Sequence, residues 1–152
     1  MIKLRDANGE DCEALYIWRN HPSARQFSLG IEEISRENHD KWFEESLRNS
    51  ERKIYIAEDK GKKVGQVRFD REGENIARVS VTVNPDFYGK GHGTTIIREG
   101  SKKYFAEVHV DIIRAEIKPE NIASVKAFEK AGYKKSEEKD GLLEYRVKNG
   151  EI

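Results

Sequence analysis

Val81-Thr-Val-Asn-Pro-Asp-Phe-Tyr-Gly-Lys-Gly-His-Gly-Thr94 reads as a strand that passes through a glycine-rich turn straight into a helix. In the run Ile76 to Val83, Val79, Val81 and Val83 fall on one face and Ser80 and Thr82 on the other, and Asn84-Pro85-Asp86 stops it. Gly89, Gly91 and Gly93 alternate beyond that stop. Without Cβ atoms the backbone there takes positive φ and can approach a ligand, aiming successive N–H groups into one concavity at the positive end of a helix dipole. Such a turn suits a phosphate or pyrophosphate, although a tight strand-to-helix connection with no ligand uses the same residues. Two phosphate motifs fail. A P-loop needs Gly-Lys followed by Ser or Thr, whereas Lys90 is followed by Gly91. A dinucleotide fingerprint opens the first βαβ unit, but this turn lies past mid-chain.

Outward from the turn, Thr94 to Val108 is helical through Ile97, Ser101, Tyr104, Phe105 and Val108, and Ile112 to Ile117 is a strand. Asn121 caps a last helix with Ser124, Ala127, Phe128 and Ala131 on one face, and Gly132 suits the left-handed residue that closes it. Strands at Tyr133 to Glu138 and Leu142 to Lys148 finish the chain. On the N-terminal side, Lys53 to Glu58 and Val64 to Asp70 form a hairpin around Asp59-Lys60-Gly61-Lys62. A strand at Ile2 to Arg5 precedes a helix capped by Asp11 that ends near Asn20-His21-Pro22. An irregular segment, Pro22 to Ile34, leads to a helix after Ser35 with His39, Trp42, Phe43, Ser46 and Leu47 on one face. The order implies an α/β (α+β) fold: a mixed, mostly antiparallel sheet of six to seven strands, flanked by about four helices on both faces.

The 152 residues suit one domain over 1–152, and no repeat or linker divides them. Lys plus Arg balance Asp plus Glu at 28 each, so the footprint of a nucleic-acid binder is missing. One cysteine, Cys12, excludes an internal disulfide, and the start has no basic-then-apolar leader, so a cytoplasmic location is expected. No apolar run reaches the roughly 20 residues of a membrane span. The four histidines are scattered without metal-ligand spacing, so no metal is expected.

Tyr88-Gly-Lys-Gly-His-Gly93 resembles the coenzyme A motif of the GNAT superfamily of N-acyltransferases: Arg or Gln, two residues, Gly, one residue, then Gly or Ala. Tyr88 departs from it at the first position. Asn121-Ile-Ala-Ser-Val-Lys-Ala-Phe-Glu-Lys-Ala-Gly-Tyr133 resembles the family's second block, Asn-x-x-(Ala/Ser)…Glu-Lys-x-Gly-Phe, and the element order fits along almost the whole chain. The resemblance implies an acyl-CoA N-acyltransferase fold that transfers an acetyl group from acetyl-CoA, as co-substrate, to an amine without a metal. Acetyl-CoA would lie between the 76–83 and 112–117 strands, against Val81, Thr82 and Val83, the turn residues Tyr88, Gly89, Lys90, Gly91, His92, Gly93 and Thr94, and Asn121, Ser124 and Phe128. A backbone N–H of the strand, assigned to Val83, would polarise the thioester oxygen.

Direct attack needs a neutral amine, and the departing thiolate benefits from a proton. Relatives often donate it from a Tyr where this chain has Phe128, which leaves Ser124, Tyr133, Tyr88 or a water. The strand before the turn offers Arg78, Ser80 and Thr82 rather than the Glu base of many relatives, so a water relay is expected; Glu32, Glu33 and His21 could also meet the amine. In this superfamily the first helices shape the acceptor site. Trp18-Arg-Asn-His-Pro22, Gly65-Gln-Val-Arg-Phe-Asp70 and Ser80-Val-Thr-Val83 resemble the branch of ribosomal-protein and nucleotide-aminosugar N-acetyltransferases, the last two strings its aminosugar group. Trp18, Arg19, Asn20, Gln66 and Arg68 are therefore candidate acceptor ligands, with core packing the other role for Trp18 and Trp42. The expected partner is a small-molecule amine, with a homodimer allowed and neither nucleic acid nor membrane involved. Protein N-terminal or polyamine acetylation, and a non-catalytic CoA-binding module, are the competing readings.

Overall fold

The alternating runs pair into one seven-stranded sheet in the order β1-β2-β3-β4-β5-β7-β6. The computed structural model describes residues 1–27 and 32–152. Its strands are β1 (Ile2–Asp6), β2 (Arg52–Asp59), β3 (Lys62–Arg71), β4 (Ile76–Val83), β5 (Ile112–Ile117), β6 (Lys134–Lys139) and β7 (Leu142–Lys148). Every neighbouring pair is antiparallel except β4 and β5, which are parallel. The helices are α1 (Cys12–Asn20), α2 (Pro22–Phe27), α3 (Arg36–Arg48), α4 (His92–Glu107) and α5 (Ile122–Ala131).

Period-two alternation divides the apolar side chains between the two faces. Tyr55, Val67, Phe69, Val79, Ile113 and Tyr145 pack on one face with Ile96, Ile97 and Tyr104 of α4 and Phe128 of α5. Ile54 and Ile56 pack on the other with Leu15 and Trp18 of α1 and Phe43 of α3. Gly100 lets α4 settle on β3, because a Cβ there would fall 2.8 Å from a Val67 methyl. Phe69 and Tyr104 then stack with centroids 4.4 Å apart. Each large side chain buried in this way contributes about 1.5–3 kcal/mol. Past β3, the second face carries charged side chains: Arg78, Arg114 and Arg146 form ion pairs with Glu72, Glu116 and Glu144.

The sheet and helices on both faces match the expected architecture, with three corrections. The described part of the expected irregular segment holds a fifth helix, α2, at Pro22–Phe27; residues 28–31 of that segment lie outside the described residues. Proline at the first position of a helix loses no hydrogen bond and has its φ preset, so Pro22 starts α2 as well as stopping α1. Asp11 makes no side-chain cap on α1. Asn8 caps the preceding short turn instead, while the fully buried Asp11 carboxylate accepts from Arg5, at 2.8 Å, and pairs with Lys63. α4 begins at His92, two residues before the expected Thr94.

Candidate active site

β4 and β5 pair only over Ile76↔Ile112, Ala77↔Ile113 and Arg78↔Arg114 and then separate. Past that point β5 stays bonded to β7 and β4 to β3, so a wedge opens between the two parallel strands. The register decides which β4 groups face it. Asn84 N–H donates to Val64 C=O at 2.8 Å, and the Asn75 carbonyl accepts from Ile112 N–H at 3.0 Å. Antiparallel pairs alternate between bonded and non-bonded, so even-numbered β4 residues bond β3. Val79, Val81 and Val83 therefore turn their backbone N–H and C=O groups toward the wedge, a row of donors and acceptors suited to an extended amide-bearing chain.

The wedge ends at the glycine turn. Gly89 (φ 77°) and Gly91 (φ 78°) occupy the left-handed region, and Gly91 is the N-cap of α4. Asn8, Ser35, Asn84 and Asn121 cap other helical segments with side chains. Gly91 supplies no side-chain cap, so the first N–H groups of a 16-residue helix are left for another partner. A Cβ on Gly93 would lie 3.6 Å from Val83 Cγ2 and 3.9 Å from Ala127 Cβ, which brings the ends of β4 and α4 against α5. Lys90 reaches over the Phe87 ring. Tyr88 is half-exposed and turns to the α1–α2 corner, its hydroxyl 2.9 Å from Ser23 Oγ, which lies 2.7 Å from His21 Nδ1.

Several α5 candidates have structural duties. The Asn121 side chain accepts from Ser124 N–H at 3.2 Å, while Ser124 is half-buried on the first turn. Phe128 is buried and meets Tyr133 edge-on, centroids 5.0 Å apart. Tyr133 is 2% exposed, its hydroxyl lies 2.7 Å from Ser101 Oγ, and burial pushes its pKa up. Gly132 turns the chain so that this ring points into the core.

On the opposite sheet face the acceptor candidates separate. Trp18 is 4% exposed and belongs to the α1–α3 core, the packing role that its sequence context also allowed. Both ends of the Asn20 amide hold the Ile34 backbone, at 2.7 and 2.9 Å. Buried Gln66 donates to Thr82 Oγ1 at 3.0 Å and ties β3 to β4.

Arg19 and Arg68 converge on half-buried Trp42, 3.9 Å and 5.5 Å from its ring centroid, and Arg52 joins them at 5.5 Å. Asp70 pairs with both Arg52 and Arg68, while Arg19 forms no ion pair among the described residues. Arg19 NH1 instead lies 3.0 Å from His39 Nδ1. Burial, with smaller repulsions from Arg68 and Arg52, pulls the Arg19 pKa down to about 10. Sequence reading missed Arg52, Asp70 and His39 here, since separate elements bring them together. Cys12, His39 and Asp40 place ligand-type atoms within 4.8 Å of one another. Both ring nitrogens of His39 are engaged, and the Cys12 thiol sits on Asp40, so the trio is occupied by hydrogen bonds.

A strand edge opening beside its parallel neighbour and leading into an uncapped, glycine-started helix defines the class of acyl-CoA-type N-acyltransferase folds. Residues 2–134 match the family model of the acetyltransferase (GNAT) domain, and the chain belongs to that family as an N-acetyltransferase. The acetyltransferase PseH of Campylobacter jejuni is 24% identical over 132 residues, 85% of this chain and 82% of that one. Among solved structures, the Vibrio cholerae spermidine N-acetyltransferase in complex with CoA and spermine superposes at a TM-score of 0.89 with 15% identity, over 99% of this chain and 96% of that one. The aminoglycoside acetyltransferase AAC(6')-Ib with ribostamycin and coenzyme A gives 0.86 with 20% identity, over 98% and 94%. At these identities the two structures share the fold.

Proposed function

We propose that the protein transfers an acetyl group from acetyl-CoA to the amine of a nucleotide-linked aminosugar. The observation that carries the acceptor class is the cluster of Arg19, Arg52 and Arg68 around Trp42, three cations that among the described residues face the one carboxylate of Asp70. Guanidinium groups pair with phosphates through charge-assisted, often bidentate hydrogen bonds, and they repel a polyamine. The likeness of Gly65-Gln-Val-Arg-Phe-Asp70 and Ser80-Val-Thr-Val83 to the aminosugar branch supports the same class.

In this reading the pantetheine arm of acetyl-CoA bonds the outward backbone groups of Val81 and Val83. Its pyrophosphate takes the N–H groups of His92, Gly93 and Thr94. The Val83 N–H stabilises the oxyanion as the amine nitrogen attacks the thioester carbon, a term worth about 3 kcal/mol per donor in comparable sites. The C–S bond then breaks, and the proton lost by the amine reaches the departing thiolate through water or the half-buried Ser124 hydroxyl, since Phe128 has no acid group and the Tyr133 hydroxyl is buried on Ser101. The setting is cytoplasmic.

Thiol release from acetyl-CoA, measured against a panel of nucleotide aminosugars, polyamines and N-terminal peptides, tests the proposal. Release that depends on a nucleotide aminosugar is expected. Turnover of a peptide with no nucleotide aminosugar accepted at millimolar concentration would move the acceptor to protein N-termini, and binding of acetyl-CoA without turnover of any amine would favour a non-catalytic module.

A further inference from the structure

His39 is fully buried between α1 and α3, and its two ring nitrogens have different partners. Nδ1 lies 3.0 Å from Arg19 NH1, and Nε2 lies 2.9 Å from the Cys12 carbonyl oxygen. A guanidinium can only donate and a carbonyl can only accept. The ring must therefore be neutral, with its proton on Nε2, which donates to Cys12 while Nδ1 accepts from Arg19. A second ring proton would set donor against donor and cation against cation at the same 3.0 Å.

We propose that His39 is the positioning residue for Arg19 and makes acceptor binding acid-sensitive: neutral, it holds the guanidinium on Trp42, and protonated, it releases it. This inference rests on Arg19 lying in the acceptor site.

The surroundings support the neutral ring. From α1, Arg19 and the Cys12 carbonyl bond it, and the Tyr16 ring lies 5.3 Å away. From α3, Trp42 and Phe43 flank it at 5.9 and 6.2 Å, and Asp40 and Arg36 act on it by charge. Arg36 also pairs with both Glu13 and Asp40, which spends much of their charge locally. The sheet contributes Arg52 and Arg68, which meet Trp42. Burial is the largest influence and lowers the His39 pKa; the bond to the Cys12 carbonyl opposes it, and the Arg19 charge reinforces it. Protonation of the folded protein thus belongs below the ordinary imidazole range of about 6.5, and acceptor binding should be steady above it.

Two measurements test the inference. The first needs no acceptor: nuclear magnetic resonance of the His39 ring nitrogens in ligand-free protein. A neutral ring with its proton on Nε2 is expected at pH 7.5, and by reciprocity Arg19→Gln should raise the titration midpoint. The opposite tautomer, or a midpoint indifferent to Arg19→Gln, would overturn the coupling.

The second is calorimetry with UDP-N-acetylglucosamine, which has no free amine to titrate. Its affinity should halve at the His39 midpoint that the resonance titration gives and fall about tenfold one pH unit below it, while that of acetyl-CoA stays within about threefold. In His39→Gln an amide can accept from Arg19 and donate to Cys12 without titrating, so binding at pH 7.5 should be close to wild type and the acid loss should vanish. His39→Leu should lose about tenfold at every pH. Constant or tighter binding one pH unit below that midpoint in the wild type, or the same acid loss in folded His39→Gln, would overturn the switch. If the nucleotide sugar binds wild type at no pH, the acceptor proposal and the acid-sensitive binding built on it both fall, while the resonance titration still decides the His39–Arg19 coupling.

Discussion

Gly91→Glu separates a ligand-binding turn from a mere connection. Gly91 has φ 78° and starts α4, and a Cβ there would meet nothing within 4 Å, so the substitution introduces no steric clash. Its folding cost is the left-handed backbone, about 1–2 kcal/mol, which for a chain of this size lowers Tm by roughly 2–8 °C. The cost to acetyl-CoA is electrostatic. A carboxylate about 5 Å from one pyrophosphate charge raises the energy by about 1–3 kcal/mol between aqueous and surface-like dielectrics. It also competes for the N–H groups of His92, Gly93 and Thr94. Affinity should therefore fall at least about tenfold, or about 1.4 kcal/mol. Calorimetric titration with acetyl-CoA, paired with a melting curve, measures both effects. Gly91→Ala carries the backbone strain without the charge and should lose no more than about threefold. Unchanged affinity in a folded Gly91→Glu protein would refute the site, and equal losses in Ala and Glu would refute the electrostatic account.

Arg19→Ala and Arg68→Ala should each raise the acceptor KM several-fold while the acetyl-CoA KM stays within twofold, because charge-assisted bonds are lost on one substrate; parallel changes in both constants would count against that role. Phe128→Tyr should leave turnover within a few-fold but lower stability by about 1–3 kcal/mol if its buried hydroxyl finds no partner, and steady-state kinetics showing a hundredfold gain would mean that a missing acid limits the natural enzyme. Burial alone would raise the Asp11 carboxyl, but bonds from Arg5, Lys63 and the Asn8 N–H bring it down to about 2. A depressed carboxyl contributes stability above its unfolded pKa near 3.8 and loses it as pH falls toward 2, so denaturant unfolding should show Asp11→Asn about 2 kcal/mol less stable at pH 7, with that difference closing below pH 4.

Strands and long helices were legible because each repeats a local period that one buried face enforces: the Val79, Val81 and Val83 alternation and the Ile97, Ser101 and Tyr104 spacing survive intact in β4 and α4. Punctuation was less legible, since the same residue can close one element and open the next. Pro22 reads as a stop to α1, yet His21 adopts the extended backbone (φ −61°, ψ 134°) favoured before proline and α2 starts at once. The wedge was visible only through family resemblance, because strand separation depends on register rather than on any β4 side chain. The arginine cluster was half visible. Arg19 and Arg68 sit in recognisable strings, but Arg52 at the start of β2 carries no signal until β2 and β3 pair Arg52 with Asp70.

Charge balance argues that this cluster is more than sheet packing. Beside it on the same face, Arg78, Arg114 and Arg146 interlock with Glu72, Glu116 and Glu144, three cations with three anions, so that array satisfies itself. Around Trp42 the described residues place three cations and one anion, and Arg19, the most strongly perturbed of them, leans on an aromatic face and a neutral imidazole. Partial desolvation of an unbalanced cation opposes folding, and in the proposed reading the anionic acceptor completes the cluster. Solved structures with this fold hold spermine or an aminoglycoside, acceptors that are themselves cations at neutral pH. In the proposed reading, the side chains contributed by α1, β2 and β3 turn the same fold toward an anionic acceptor, and the KM changes of Arg19→Ala and Arg68→Ala test it.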